Sequence, residues 1–381
     1  MIFTHLDSQA IELHIKPFLE IRERYERKID RDFQRNSRDN RSDFLTRIRV
    51  GANLKMGKLS GKLTYQYSHN LAQTPARNFS TERSDLAEAY IKAGAWTFGR
   101  QRIAIGSQRV VGESQWHNVS QSFDGVRFEA GRDTAFAFRQ GTLPTPSKRL
   151  FFAGAARKDQ TGVSMLLYKS DRGKQRFTLA REGAIKVVQN VTLEYIGAVQ
   201  AGSESGKQVR AWAGYARATR AIQPRLDGFV EINAASGGRS GGTIRTYDQG
   251  FATGHDRLGL LDTTGWQNIL QFGFGLKAKL GAKDTLKFQA HHLQLLDAKD
   301  AWYGVGGGAN ARVGGTYLDA TGAAGKQVGH EWDLDYQRKM DANTTLQVGV
   351  GIFAPGRFVK TLQAGPHRHH VFGYIQFSKR F

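Results

Sequence analysis

The chain of 381 residues contains no cysteine, which removes disulfide frameworks, thiolate metal sites and a cysteine nucleophile. It has no run of the roughly 18 to 20 apolar residues that a membrane helix needs, so a bilayer would have to be crossed by strands. An apolar secretory core is missing from the first twenty residues, which carry His5, Asp7, Glu12, His14 and Lys16, so the chain as given reads as lacking a signal peptide. Acidic residues are in deficit. Lysine and arginine number 55 against 34 aspartates and glutamates, a net charge of +21 that attracts polyanions such as nucleic acid, lipopolysaccharide, phospholipid or acidic polysaccharide. A nucleic-acid binder would gather its basic residues into a patch, helix face or tail. Here they recur along almost the whole chain, so no nucleic-acid partner is expected.

What the sequence does contain is period-two alternation, in segments about as long as a tilted strand needs to cross a membrane. In 265–280, Leu270, Phe272, Phe274, Leu276 and Ala278 oppose Gln271, Gly273, Gly275, Lys277 and Lys279. In 43–56, Phe44, Ile48, Val50, Ala52 and Leu54 oppose Arg47, Arg49, Asn53 and Lys55. About 18 such segments predict a single all-β domain over residues 1–381, a transmembrane antiparallel up-and-down β-barrel. Tight connections at Gly57, 131–133, 158–160, 281–284 and 340–343 alternate with longer ones at 27–42, 71–84, 106–120, 236–265, 296–326 and 355–368. That segregation is expected of an outer-membrane barrel with periplasmic turns and long extracellular loops. The 44 glycines and 12 tyrosines suit it, as does Phe381 closing a final amphipathic strand.

Three blocks in order resemble the alginate export family of bacterial outer-membrane channels. The first is Tyr90-Ile91-Lys92 followed by Gly99-Arg100-Gln101, Gly106, Arg109-Val110-Val111-Gly112, Trp116, Asn118 and Phe123-Asp124-Gly125-Val126-Arg127. The second runs from Ala235-Ser236-Gly237 through Tyr247-Asp248-Gln249, His255, Gly259, Asp262 and Asn268. The third is Gly329-His330-Glu331-Trp332-Asp333-Leu334, then Gly349, Phe353, Ala354 and Pro355-Gly356. Gly238 and Tyr247 depart from the residues usual in that family, which bears on the polymer rather than the fold. The resemblance implies 18 strands, a basic lumen and passive export of a polyuronate handed over from a periplasmic synthesis complex.

With the apolar parity facing lipid, Arg22, Arg24, Arg47, Arg49, Arg127, Arg139, Arg176 and Lys277 fall inward, and the family blocks add Arg100 and Arg109. Guanidinium groups match carboxylates in a bidentate fork, so a ladder of them would guide a carboxylated sugar chain. Each contact must stay weak for the chain to leave. The acidic residues Glu129, Asp227, Glu231, Glu331, Asp333 and Asp335 also fall inward and are expected to bracket the arginines. These pairs could equally serve only to satisfy one another inside a polar barrel. Part of the excess charge belongs to loops and strand ends in contact with lipid and lipopolysaccharide phosphates. The connection holding Tyr247, His255 and Asp262 is expected either to gate the pore or to stand as an ordered external loop.

No catalytic constellation assembles in the sequence. Gly202-Ser203-Glu204-Ser205-Gly206 has glutamate where a nucleophile elbow needs serine, and Gly304-Val305-Gly306-Gly307-Gly308 lacks a strand-to-helix setting. Adjacent histidines such as His291-His292 point to opposite faces of a strand. No cofactor, metal or enzymatic activity is expected. The alternatives to a polyuronate channel are a general anion or oligosaccharide porin and, beyond that, an outer-membrane barrel enzyme.

Overall fold

Alternation of this kind is stable as a closed sheet, because closure leaves no edge strand with unpaired backbone groups in lipid. The computed structural model describes residues 12–34, 39–71, 82–142, 150–363 and 365–381. It is an all-β, closed, antiparallel barrel of 18 strands. In chain order the barrel strands are β1 (Leu13–Ile29), β2 (Arg41–Met56), β3 (Leu59–Asn70), β4 (Arg83–Ala93), β5 (Trp96–Gln101), β6 (Ser122–Ala130), β7 (Asp133–Thr142), β8 (Phe151–Lys158) and β9 (Gly162–Asp171). They continue with β10 (Lys174–Val188), β11 (Val191–Glu204), β12 (Lys207–Gln223), β13 (Leu226–Ala235), β14 (Ile269–Lys279), β15 (Asp284–Gln294), β16 (Gln327–Lys339), β17 (Thr344–Pro355) and β18 (His370–Arg380). Each pairs with its neighbours in sequence, and β18 closes the barrel on β1 in the register Glu20↔Arg380 to Ile29↔Val371. Every predicted segment coincides with one of these strands. The 27–42, 71–84 and 355–368 connections, like the first eleven residues, lie wholly or partly outside the described residues.

The two rims differ. One carries only short turns, and the other carries the long connections, together with two tight hairpins at 172–173 and 205–206. Those hairpins place Arg172 with Gly173, and Ser205 with Gly206, at positive φ, the geometry that matches strand twist in a two-residue turn.

The outer face is an apolar band. Ile91, Phe98, Val230, Phe274 and Ile375 stand exposed there, while residues next to them along the strands, Thr97, Phe229, Glu231, Tyr374 and Gln376, turn inward and are buried. Aromatic groups mark both rims, Trp96 against Phe128 on the short-turn side and Tyr168 against Phe177 on the other, each at 4.8 Å between centroids.

The interior is two-sided rather than uniformly basic. Along β6–β12 the inward parity carries Phe123, Phe138, Phe152, Leu167, Ile196 and Val209, all buried. Around the remainder, β1–β5 and β13–β18, it is mostly charged and polar. The apolar sector exists because loop residues pack on it: Phe251 sits 4.2 Å from Phe152 and 5.4 Å from Phe123.

Candidate functional site

Two connections leave the long-loop rim and fold into the lumen, where they meet. The first, residues 102–121, bridges the barrel from wall to wall. At one end its backbone oxygens are held by arginines of β1 and β2. Arg22 donates to the carbonyls of Gln115 (2.8 Å) and His117 (3.1 Å), and Arg47 to the same two at 2.9 and 3.2 Å. Arg24 donates to the Trp116 carbonyl at 2.8 Å, and Arg49 to the Gln115 side chain at 3.0 Å and Ser120 Oγ at 2.7 Å. Asn118 is buried between β2 and β3, donating to the carbonyls of Thr46 and His69. At the other end Arg109 reaches β12 and β13, its guanidinium 3.7 Å over the Tyr215 ring and 3.0 Å from Asn233 Oδ1. Burial, with Arg257 nearby, brings the Arg109 guanidinium down to about 10.

The second connection, 236–268, is held by the opposite chemistry. Leu260 N–H donates to Asp333 at 3.0 Å and Leu261 N–H to Glu331 at 2.9 Å, so carboxylates of β16 receive backbone donors as the arginines hold backbone acceptors. Gly259 permits the approach: its φ is +114°, and a Cβ there would stand 2.2 Å from Glu331 Oε1. Further along, Asp248 pairs with Lys169 of β9 at 2.8 Å, and Asp256 pairs with Lys287 of β15. Burial works to raise both carboxyls, but the neighbouring cations, Lys169 and Arg176 at Asp248 and Lys287 at Asp256, outweigh it and hold them below the usual range.

The loops lock to each other through main chain and rings. Gly112 N donates to the Phe251 carbonyl at 3.0 Å and Phe251 N to the Val110 carbonyl at 2.9 Å. Trp116 stacks on His255 at 3.6 Å and 3°, with the Arg24 guanidinium 3.8 Å from the indole centroid. His255 in turn bonds Asp262 at 2.8 Å. Burial lowers the nearby His117, which keeps that imidazole neutral.

This crossbar divides the charged interior. On the long-loop side is a cavity of about 200 Å³ whose wall includes Arg24, Lys28, Arg31 and Arg41 beside Glu26, Asp43 and Asp262. On the short-turn side a cavity of about 130 Å³ is lined by Arg22, Arg47 and Arg380 with Glu20. A third, about 220 Å³, lies by Lys169, Lys174 and Arg176 with Glu204 and Asp248.

The sequence-derived residues separate accordingly. Arg22, Arg24, Arg47 and Arg49 converge on one loop segment. Arg176 is inward, bonding Glu204 at 2.7 Å and the Thr246 carbonyl at 2.9 Å. Arg127 is inward beside Glu129 at 3.5 Å, with Lys92 also on that carboxylate. Lys277 lies inward in register with Asp227 on one side and Lys287 on the other. Glu231 brackets an arginine, but the partner is Arg217 at 2.6 Å.

Arg100, Arg139, Glu331, Asp333 and Asp335 correct the expectation. Arg100 is on the outward parity with Phe98 and pairs with Asp124 at 2.6 Å, at the long-loop end of β5. Arg139, in register with Asp124, is outward as well, because Phe136 and Phe138 occupy the inward parity of β7. Glu331 and Asp333 do not bracket arginines: they dock the second loop. Asp335 accepts from the Tyr374 hydroxyl instead. Of the connection expected either to gate the pore or to stand outside it, Tyr247 has its ring wholly buried 5.4 Å from Trp266.

Sequence reasoning missed Trp116, Asn118, Leu260 and Leu261 as lumen elements. They lie in segments without periodicity and meet main-chain groups as often as side chains; only the fixed order of Trp116 and Asn118 in the first block marked that loop.

No protein with a curated description matches the chain in sequence. Among solved structures, Pseudomonas aeruginosa OccK2 (OpdF) superposes with a TM-score of 0.66 at 10% identity, covering 96% of this chain and 97% of that one. OccK11 (OpdR) of the same organism gives 0.63 at 9% identity, covering 96% of each. OccK2 in complex with glucuronate gives 0.63 at 11% identity, covering 96% and 98%. At such identities the similarity speaks for the fold. Residues 17–144 and 150–373 match the alginate export family, and the chain belongs to that family as an outer-membrane β-barrel channel.

Proposed function

We propose that this channel passes an acidic polysaccharide of the polyuronate type, passively and with preference for anions, with its long loops facing the cell exterior and its short turns facing the periplasm. The observation that carries the reading is the crossbar at Gln115–Asn118, with cations in the wall on both of its sides, bracketed by Glu26 and Asp43 above and Glu20 below. Arg24, Lys28, Arg31 and Arg41 stand above it and Arg22, Arg47 and Arg380 below, so a carboxylated sugar leaving one set of guanidinium groups meets the next. The arginines that hold the loop also give the constriction its charge. Delivery by a periplasmic synthesis complex completes the proposal.

A second reading, a porin for acidic mono- or oligosaccharides, is favoured by the two infolded loops, which narrow the passage. The solved complex of OccK2 with glucuronate shows that a barrel of this fold takes an acidic sugar. Currents through single channels separate the two. Oligouronates that block more strongly as they lengthen support the polymer, and block that saturates with the monosaccharide supports the porin.

A further inference from the structure

The outer surface carries a basic cavity that the transport reading does not use. β12 is longer than its partner: β13 covers it only from Ala213 onward, which leaves Lys207–Trp212 to be paired by something else. The chain after β13 turns back, and Thr243–Ile244 pairs in parallel with Gln208–Val209. Ile244 and Val209 are buried toward the lumen, so Thr243, Arg245, Arg210 and Trp212 face outward. Against them lie Leu296–Lys299 and Thr321, Gly322 and Lys326 of the next connection, forming an open cavity of about 790 Å³.

Four cations line this space, Arg210, Arg245, Lys299 and Lys326, against one carboxylate, Asp297. Asp297 is engaged locally, accepting from Lys299 N–H at 2.8 Å and lying against Gly238. Among the described residues none of the four cations has a carboxylate within 4.0 Å, whereas Arg24, Arg49, Arg100, Arg127, Arg176 and Arg217 all do. Four exposed cations with no acid partner around one cavity give it a field that attracts an anionic ligand, and guanidinium and ammonium groups together suit phosphate. The cavity opens beside Trp212, 47% exposed, whose cross-strand partner Val199 is 55% exposed on the same outward face. An aromatic ring at the end of an apolar band sits where headgroups meet acyl chains.

We infer that this cavity binds the phosphorylated headgroup of an outer-leaflet glycolipid, its acyl chains running down the wall past Val199. The inference rests on the long loops facing outward and is independent of what the lumen conducts. The test uses the full chain in detergent depleted of anionic lipid, with native mass spectrometry reading retained bisphosphorylated lipid A, phosphatidylethanolamine or inorganic phosphate. Wild type should retain lipid A and not phosphatidylethanolamine, and inorganic phosphate at equal concentration should not displace it. Arg210→Gln/Lys299→Gln/Lys326→Gln, shown folded by heat-modifiable migration, should lose affinity by about a hundredfold. Equal retention by the folded variant would overturn the site. Displacement by inorganic phosphate would overturn the lipid in favour of a free anion.

Discussion

Trp116 and His255 lie face to face, 3.6 Å between centroids and 3° between planes, and each belongs to a different infolded loop. Their stack, with Arg24 on the indole and Asp262 on the imidazole, is where the two loops become one barrier. Trp116→Ala removes the shared ring and changes no residue of a barrel strand. Single-channel conductance should rise and open-state current noise should increase, while heat-modifiable migration stays normal.

The second loop hangs on two carboxylates. Glu331→Ala/Asp333→Ala strands the Leu260 and Leu261 N–H groups, each costing about 1–3 kcal/mol once buried without an acceptor. Gly259→Val should reproduce the effect from the loop side, because its side chain would enter the space of Glu331. Both variants should show faster protease cleavage within 236–268 than wild type, read by mass spectrometry of the released fragments.

Charge placement predicts selectivity. Arg127→Glu and Lys277→Glu change inward positions that hold neither loop, and each should lower the anion preference measured as reversal potential in a salt gradient. Arg100→Glu and Arg139→Glu change the outward parity and should leave it unaltered. A shift from the outward pair as large as that from the inward pair would contradict the parity assignment.

The pH dependence follows from Asp248 and Asp256. Both carboxyls are held below their usual value of 3.8, so the docking they provide is fully present above that value and is lost only as pH falls through the lower folded one. Currents should therefore show no transition from this source between about pH 5 and 8. Lys169→Met removes the larger of the two cationic influences that oppose burial at Asp248, which should move the acid transition upward in pH.

The barrel was legible because lipid on one face imposes apolar residues at every second position, as at Phe272, Phe274 and Leu276. The same rule misplaced Arg139. In β7 the larger apolar side chains, Phe136 and Phe138, face the lumen, in one buried cluster with Val110 and Phe251 of the infolded loops, and small alanines face out. Alternation reports which face is apolar, and a loop packed inside the barrel reverses its meaning. Arg100 escaped for a related reason: β5 spans only Trp96–Gln101, too short for its outward row to show that it ends in a charge pair. The inward arginines of β1 and β2 were readable, but their partners were not, because the carbonyls of Gln115, Trp116 and His117 carry no sequence signature.

The central claim is that cations on both sides of the crossbar select carboxylated sugars. The direct test is reconstitution of the full chain in a planar bilayer, with reversal potentials taken before and after oligouronates are added. The account predicts anion preference, and current block by oligouronates that neutral oligosaccharides of equal length do not produce. Cation preference, or equal block by the neutral sugars, would contradict it.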